Sequence, residues 1–402
     1  MTQNVVFAAP FPAEVTQRFA RAARQLDGVR LLGLVHTAPQ EPLYHDVERV
    51  AEPLNPASLR AGVEALARRH GRIDRIVGIL EALQVQLAEL RRDFGVPGTK
   101  PEIAEIFRDK AKMKAVLSKA GLPVARSRMV DSRKAAFEFA EQVGFPFVLK
   151  PPAGMGAKST FRVTSGPQLD QALKGLGARA SGPMLAEEFL TGREHSFETI
   201  TVGGQVRLSS ASDYFPTCLE AVENPWIQWA CLLPRDISGE EYEGVEALGK
   251  AAIAALGLHQ GVTHMEWFRR PDGSVAIGEI ALRPPGANIS LMTGVAHGMD
   301  MYRAWARAEI DGAFDGPYVR QKAVGSAFLR GMGGGRVASV RGIKEISERA
   351  SKYLVEAQLP VLGAAKKDTY EGDGYIVVAD EDTEVVKGLL HDIVNTVRVS
   401  YS

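Results

Sequence analysis

Cysteine is almost absent from this chain. Cys218 and Cys231 are the only two, too few for a disulfide framework, and no CxxC pair or Cys/His cluster points to zinc. No excess of either charge sign exists: 48 basic residues balance 48 acidic ones, for a formal net charge of zero. That argues against nucleic acid or an anionic membrane as the main partner, although a local basic patch stays open. No apolar run is long enough to span a bilayer, and Met1–Phe7 lacks the basic start and long apolar stretch of a secretory leader. A cytoplasmic protein is expected. No Gly-x-Gly-x-x-Gly follows the first apolar run, where Ala8-Ala9-Pro10-Phe11-Pro12 stands instead, which argues against a dinucleotide site. Internal repeats and low-complexity segments are also missing.

What is present is a chain of 402 residues, 45% hydrophobic and 24% charged, long enough for two or three globular domains. Apolar runs at Val5–Ala9, Val29–Val35 and Ile73–Leu80 read as strands. They alternate with helical patterns at Ala13–Leu26 and Pro56–His70, as in a parallel sheet covered on both faces. Glu81 follows the third strand, where open α/β sheets present ligand-contacting groups, and where a carboxylate also suits a helix N-terminus. Ala82–Phe94 reads as helix, and Val96-Pro97-Gly98 ends a first unit, 1–98. Pro101–Ala120 reads as one helix closed by Gly121. Its Lys112 and Lys114 read best as a solvated face.

The stretch from Phe147 to Thr160 organises the middle of the chain. A short apolar strand ends in Lys150, and Pro151-Pro152-Ala153-Gly154-Met155-Gly156-Ala157-Lys158-Ser159-Thr160 follows. A lysine at a strand end, facing a loop of small residues, can hold a polyphosphate: the ammonium neutralises charge and the glycines let backbone N–H groups approach. A plain turn is the alternative for this segment taken alone. Met184–Ala186 reads as a strand ending in Glu187 and Glu188. Thr191-Gly192 reads as a turn, and Glu194 as the start of a strand closed by a Gly203-Gly204 hairpin. Glu187 and Glu194 bracket an apolar turn and either face one ligand or are structural.

Tyr214–Pro234 mixes Tyr214, Cys218, Glu220, Trp226 and Trp229 without a period. It reads as a long loop that either shapes a pocket for a small ligand or packs on the core. Gly261–Phe268 and Val275–Arg283 flank an Arg270-Pro271-Asp272-Gly273 turn, so a hairpin is predicted that sets Glu266 beside Glu279. Two like charges in mostly apolar strands favour a shared cation, and oxygen-only ligation points to magnesium; two solvent-facing glutamates are the alternative. Asn288–Glu309 reads as helix, with Asn288 best explained as its N-cap. Ala323–Ser402 reads as a small α+β lid, with strands at Ala323–Leu329, Val337–Val340, Leu354–Glu356 and Tyr375–Ala379.

In order, these residues resemble an ATP-grasp enzyme over nearly the whole chain. The resemblance implies α/β and α+β content: an N-terminal parallel α/β domain (1–98), a central subdomain with the glycine-rich loop (99–182), an ATP-grasp core (183–322) and a C-terminal lid (323–402). It implies that Lys110 and Lys150 bind nucleotide phosphates, under a loop containing Gly154, Gly156 and Ser159. Glu187, with Glu188, Phe189 and Leu190, would meet the adenine, and Glu194 the ribose. Glu266 and Glu279 would hold one or two magnesium ions, or manganese, and Arg283 would act on the substrate carboxylate or oxyanion.

One departure stands out. The family commonly reads Glu-x-Asn-x-Arg, where this chain has Glu279-Ile280-Ala281-Leu282-Arg283, and Ala281 cannot ligate a metal. Within the superfamily the chain is most similar to the L-amino acid ligase branch, through His264-x-Glu266, Arg283-Pro-Pro-Gly286, Glu81 and the C-terminal Gly374-Tyr375-Ile376-Val377-Val378. That similarity adds Glu81, His264, Arg283 and Gly286 to Tyr214, Glu220 and Trp226 as substrate candidates. The lid also resembles that of biotin carboxylases, but no Met-Lys-Met carrier motif occurs. The implied activity is ATP-dependent joining of a small-molecule carboxylate to an amine, amino acids being the favoured pair. The rivals are another acid, such as bicarbonate, or an ATP-binding module without turnover. Among similar enzymes homodimers are common, so a second copy is a further expected partner. His195 and His264 are the candidates for a general base, each with a structural role as the simpler reading.

Overall fold

The structure, a computed structural model, describes residues 2–154, 160–177, 183–367 and 369–402. Gly156 and Ser159 lie outside the described residues. The N-terminal region forms a parallel sheet of β1 (Gln3–Ala8), β2 (Val29–Val35), β3 (Asp46–Arg49) and β4 (Arg75–Val77), ordered β3-β2-β1-β4. Apolar residues fill both faces of β1 and β2, because helices cover both: Glu14–Arg24 packs Phe19 and Ala23 on one side, and Pro56–His70 packs Leu59, Val63 and Leu66 on the other. β3, polar and half exposed, gave no apolar signal and was not expected.

A second, antiparallel sheet holds β5 (Ser127–Val130), β6 (Phe147–Lys150), β7 (Phe161–Val163) and β8 (Met184–Glu188), ordered β5-β8-β6-β7. The largest sheet has eight strands. β9 (Arg193–Val202), β10 (Gln205–Phe215), β11 (Trp229–Leu233), β12 (Gly261–Arg269), β13 (Val275–Ala281), β14 (Ala323–Leu329), β16 (Leu354–Gln358) and β17 (Gly374–Asp380) run β13-β12-β9-β10-β11-β14-β17-β16. β15 (Val337–Arg341) and β18 (Arg398–Tyr401) form a separate pair. Three strands from Ala323 onward, β14, β16 and β17, therefore continue the central sheet, with β14 hydrogen-bonded to β11.

Three expected elements differ. Tyr214–Pro234 is not a long loop: β10 runs to Phe215, a short helix spans Cys218–Glu223, and β11 begins at Trp229. Its lack of period reflects three elements in 21 positions read as one. The helix expected over Pro101–Ala120 is two, Pro101–Arg108 and Lys110–Lys119. Asp109 breaks it: its backbone is extended (φ −98°, ψ 107°), and its carboxylate accepts from the N–H groups of Ala111 and Lys112. The helix expected over Asn288–Glu309 stops at His297, where Gly298 turns left-handed, and restarts at Met301.

The turn between β8 and β9 fixes how the two antiparallel sheets meet. Gly192 has φ +123°, and a Cβ there would lie 2.0 Å from the carbonyl oxygen of Arg269. Only glycine fits. Gly192→Ala is expected to lower the unfolding free energy by about 2 kcal/mol or more. Urea denaturation checks this; an unchanged midpoint would refute the close packing.

Candidate active site

The two antiparallel sheets enclose a cavity of about 680 Å³. β6 and β8 present Lys150 and Glu187 on one wall; β9, β12 and β13 present Glu194, His264, Glu266 and Glu279 on the other, with Arg283 just beyond. The predicted hairpin forms, with Gly273 at φ +80° in its turn, and Glu266 pairs directly with Glu279 across β12 and β13. Their neighbours resolve the repulsion. Lys110 Nζ lies 2.7 Å from Glu279 Oε1. Burial pushes the Glu279 carboxyl up, but Lys110 and then Lys150 outweigh it and hold it below the ordinary carboxylate value. Among the described residues Glu266 has no lysine contact; burial, then the charge of Glu279, pushes its carboxyl up.

The break at Asp109 aims Lys110 at the cavity. The Lys110 N–H donates to Pro152 O at 2.9 Å, which docks the new helix on the loop after β6. Lys110 Nζ and Arg108 Nη1 both donate to Gly154 O, at 3.3 and 3.0 Å. Lys150 Nζ donates to Glu187 Oε1 at 3.1 Å. Lys114 is a correction: it is buried, not solvated, and its Nζ bonds Gly278 O at 2.6 Å and lies 3.2 Å from Glu187. Lys112 is exposed, paired with Glu105. Lys114 stands one helical turn from Lys110, so the i, i+4 spacing was a signal that it shares the inward face.

Glu81 is buried with both oxygens occupied: Arg108 Nη1 donates to Oε1 at 3.1 Å and Arg283 Nε to Oε2 at 3.0 Å. Arg108 had no sequence signal beyond its place beside Lys110. The Glu188 carboxylate turns to Arg126 and Arg270, so at this position it is the backbone that runs on to Phe189 and Leu190 at the cavity edge. Glu194 Oε2 accepts from Cys218 N at 2.8 Å. His264 faces the cavity, with Nδ1 2.9 Å from Glu198 Oε1 and Nε2 3.9 Å from Glu266 Oε1.

Tyr214, Glu220 and Gly286 line the cavity, as does Tyr370, which sequence reasoning missed because it lies far along the chain with no motif around it. Trp226 does not; it is 49% exposed, just past the short helix. His195 is fully buried away from the cavity, with its ring nitrogens 2.8 and 2.7 Å from Asp213 and Glu241, stacked on Trp267. That geometry is structural. Asn288 occupies the N-cap position but caps nothing: its φ is +59°, and its amide donates to Ser326.

Among the described residues, no group of three or more His, Cys, Asp or Glu side chains could hold a metal by itself. Glu266 and Glu279 are two hard oxygen donors, a partial set that fits a magnesium ion completed by phosphate oxygens and water.

A cavity with Lys150 on one wall and opposed carboxylates on the other accords with the comparison with known families: residues 115–289 match the ATP-grasp domain. The L-arginine-specific L-amino acid ligase of Bacillus subtilis is 29% identical over 227 residues, 55% of this chain and 54% of that protein. The phosphoribosylamine–glycine ligase of Streptomyces coelicolor is 34% identical over 173 residues, 41% of this chain and 39% of that one. The chain thus spans about half or less of the length of these curated relatives. Among solved structures, an L-amino acid ligase from Bacillus licheniformis superposes with a TM-score of 0.80 at 18% identity, covering 100% of this chain and 99% of that one. The biotin carboxylase domain of Hydrogenobacter thermophilus 2-oxoglutarate carboxylase, solved with MgADP, ADP and bicarbonate, superposes with a TM-score of 0.74 at 17% identity, covering 100% and 91%. The fold is the ATP-grasp fold.

Burial, and then the charge of Glu266, pushes the Glu194 carboxyl up from 4.5 to about 8. A raised folded-state value means that stability from this group is complete below pH 4.5 and is lost as pH rises toward 8. Glu194→Gln should flatten that decline, by at most about 1.4 kcal/mol per pH unit. Urea midpoints of both proteins at several pH values check this; parallel curves would show that Glu194 is ionised throughout.

Proposed function

We propose that the protein is an ADP-forming ATP-grasp ligase that joins a carboxylate to an amine through an acyl phosphate, with amino acids as substrates. The observation that carries this is the convergence of Lys110, Lys150, Glu266, Glu279 and Arg283 on one cavity between the two antiparallel sheets. Little covalent chemistry is asked of the protein, so its work is positioning and charge stabilisation.

Lys110 and Lys150 hold the phosphates, exchanging their present partners Glu279 and Glu187 for phosphate oxygens. Glu187 and the backbone from Glu188 to Leu190 take the adenine, and Glu194 the ribose. Glu266 and Glu279 would hold magnesium, which when bound would neutralise phosphate charge; Ala281, in place of the usual Asn, would add no ligand. Arg283, its Nε fixed by Glu81, offers its remaining N–H groups to the substrate carboxylate. The carboxylate oxygen attacks the γ-phosphorus and ADP leaves; the amine then attacks the acyl carbon and phosphate leaves. The B. subtilis relative supports amino acids as substrates.

Phosphate release from MgATP, measured with amino acids singly and in pairs, tests the reading. Release is expected to require both an acid and an amine, to match ADP formed, and to fall about 100-fold or more in Glu279→Gln. Release with a non-amino-acid carboxylate, bicarbonate included, would change the substrate class. ATP binding with no release for any pair would leave a nucleotide-binding module.

A further inference from the structure

Two polar donors at the cavity have no hydrogen-bond partner among the described residues: the phenol of Tyr370 and Nη2 of Arg283. Arg283 spends Nε on Glu81 at 3.0 Å and Nη1 on Pro284 O at 3.0 Å. Tyr370 comes from the far end of the sequence and is clamped over the turn that follows Arg283. Trp229 Nε1 donates to the Tyr370 carbonyl at 2.6 Å, and the two rings lie 5.7 Å apart. Glu371 Oε1 accepts from the N–H of Ala287 at 2.8 Å. Backbone and ring are thus held, and the hydroxyl lands on Gly286: a Cβ there would lie 2.7 Å from Tyr370 Oη. The glycine of Arg283-Pro-Pro-Gly286 makes room for this phenol.

We propose that Tyr370 is a substrate-binding residue that shares with Arg283 Nη2 the grip on an anionic oxygen of the carboxylate substrate. Tyr370 is half-buried and lines the cavity, so a phenol without a protein acceptor there keeps its O–H available to a bound group. Here both free donors face the same cavity beside the same turn, the complement of a carboxylate oxygen or of the oxyanion that forms when the amine adds. Burial, and then the nearby Glu371, raise the phenol above its ordinary value, so it remains an O–H donor at neutral pH. The inference rests on the ligase reading for the identity of the anion and on the cavity geometry for the rest.

Tyr370→Phe keeps the ring and removes the donor. The probes are the twenty L-amino acids, acetate, succinate and bicarbonate, titrated calorimetrically with MgADP present, alongside phosphate release. Expected are an unchanged melting temperature, unchanged MgATP affinity, and affinity for the bound acid about tenfold lower or more. Gly286→Ala, which pushes the phenol aside, should weaken acid binding in the wild type and add little to Tyr370→Phe. Equal acid affinity in Tyr370→Phe, equal costs of Gly286→Ala on both backgrounds, or a loss that comes with a lower melting temperature or weaker MgATP binding would overturn the proposal. Acid binding that weakens as expected, without phosphate release for any amine, supports the grip and removes the ligase reading. A wild type that binds none of the acids overturns both.

Discussion

Glu266 and Glu279, both half-buried, face each other across two paired strands, and much of the site answers that one repulsion. Removing a carboxylate from water costs several kcal/mol unless a partner compensates, and two side by side cost more. Lys110 supplies the compensation for Glu279 by direct contact, and Lys150 adds to it through space. Lys150 is shared with Glu187, which in turn neutralises Lys114. The result is an alternating network of three lysines and three carboxylates that leaves Glu266 the least compensated member. A site with its cations already placed needs little rearrangement to accept a triphosphate and a metal; the same contacts exchange one oxygen anion for another.

That network exists because of a local event in the chain. A continuous helix from Pro101 to Ala120 would carry Lys110 along a straight axis. The extended backbone of Asp109 interrupts it, the aspartate side chain caps the new helix, and the first N–H beyond the break binds the loop after β6. Lys110 and Lys114 then lie on the inward face of the second helix while Lys112 stays in solvent. A cap residue within a helical pattern was the cue, and composition alone hid it, because Arg, Lys and Ala on both sides are all strong helix formers.

The parts of the fold legible in the sequence were those with a local code. Strands β1 and β2 announced themselves as apolar runs, and the Asp272-Gly273 turn set the register that pairs Glu266 with Glu279. The lysine at the end of β6 and the carboxylates at the end of β8 were visible for the same reason: chemistry placed where a short apolar run stops. What stayed hidden depends on distance along the chain. Lys114 is buried only because Gly278 and Glu187, far away in sequence, come to meet it. Trp226 looked like a pocket aromatic only while its surroundings were taken for one long loop. Ser326, 38 residues on, holds the amide of Asn288, which leaves its helix uncapped by a side chain.

Distance also explains why the matched ATP-grasp segment, 115–289, does not contain the whole cavity. It includes Lys150, Glu187, Glu194, Glu266, Glu279 and Arg283. Glu81 and Lys110 precede it, and Tyr370 follows it, yet all three line the same cavity. Two of the outlying residues gather around Arg283, where Glu81 fixes one side of its guanidinium and Tyr370 closes over the turn behind it, while Lys110 pairs with Glu279. On the proposed reading the nucleotide site draws mostly on one contiguous stretch, with Lys110 added from before it, whereas the carboxylate end would be assembled around Arg283 from the N-terminal sheet and the C-terminal segment. Glu81 shares Arg108 with Gly154 O, which Lys110 also binds, so it touches both ends; substitutions near Tyr370, by contrast, would reshape the acid end on this reading without disturbing the phosphate site, the arrangement expected of a scaffold that keeps one activation step and varies what is activated.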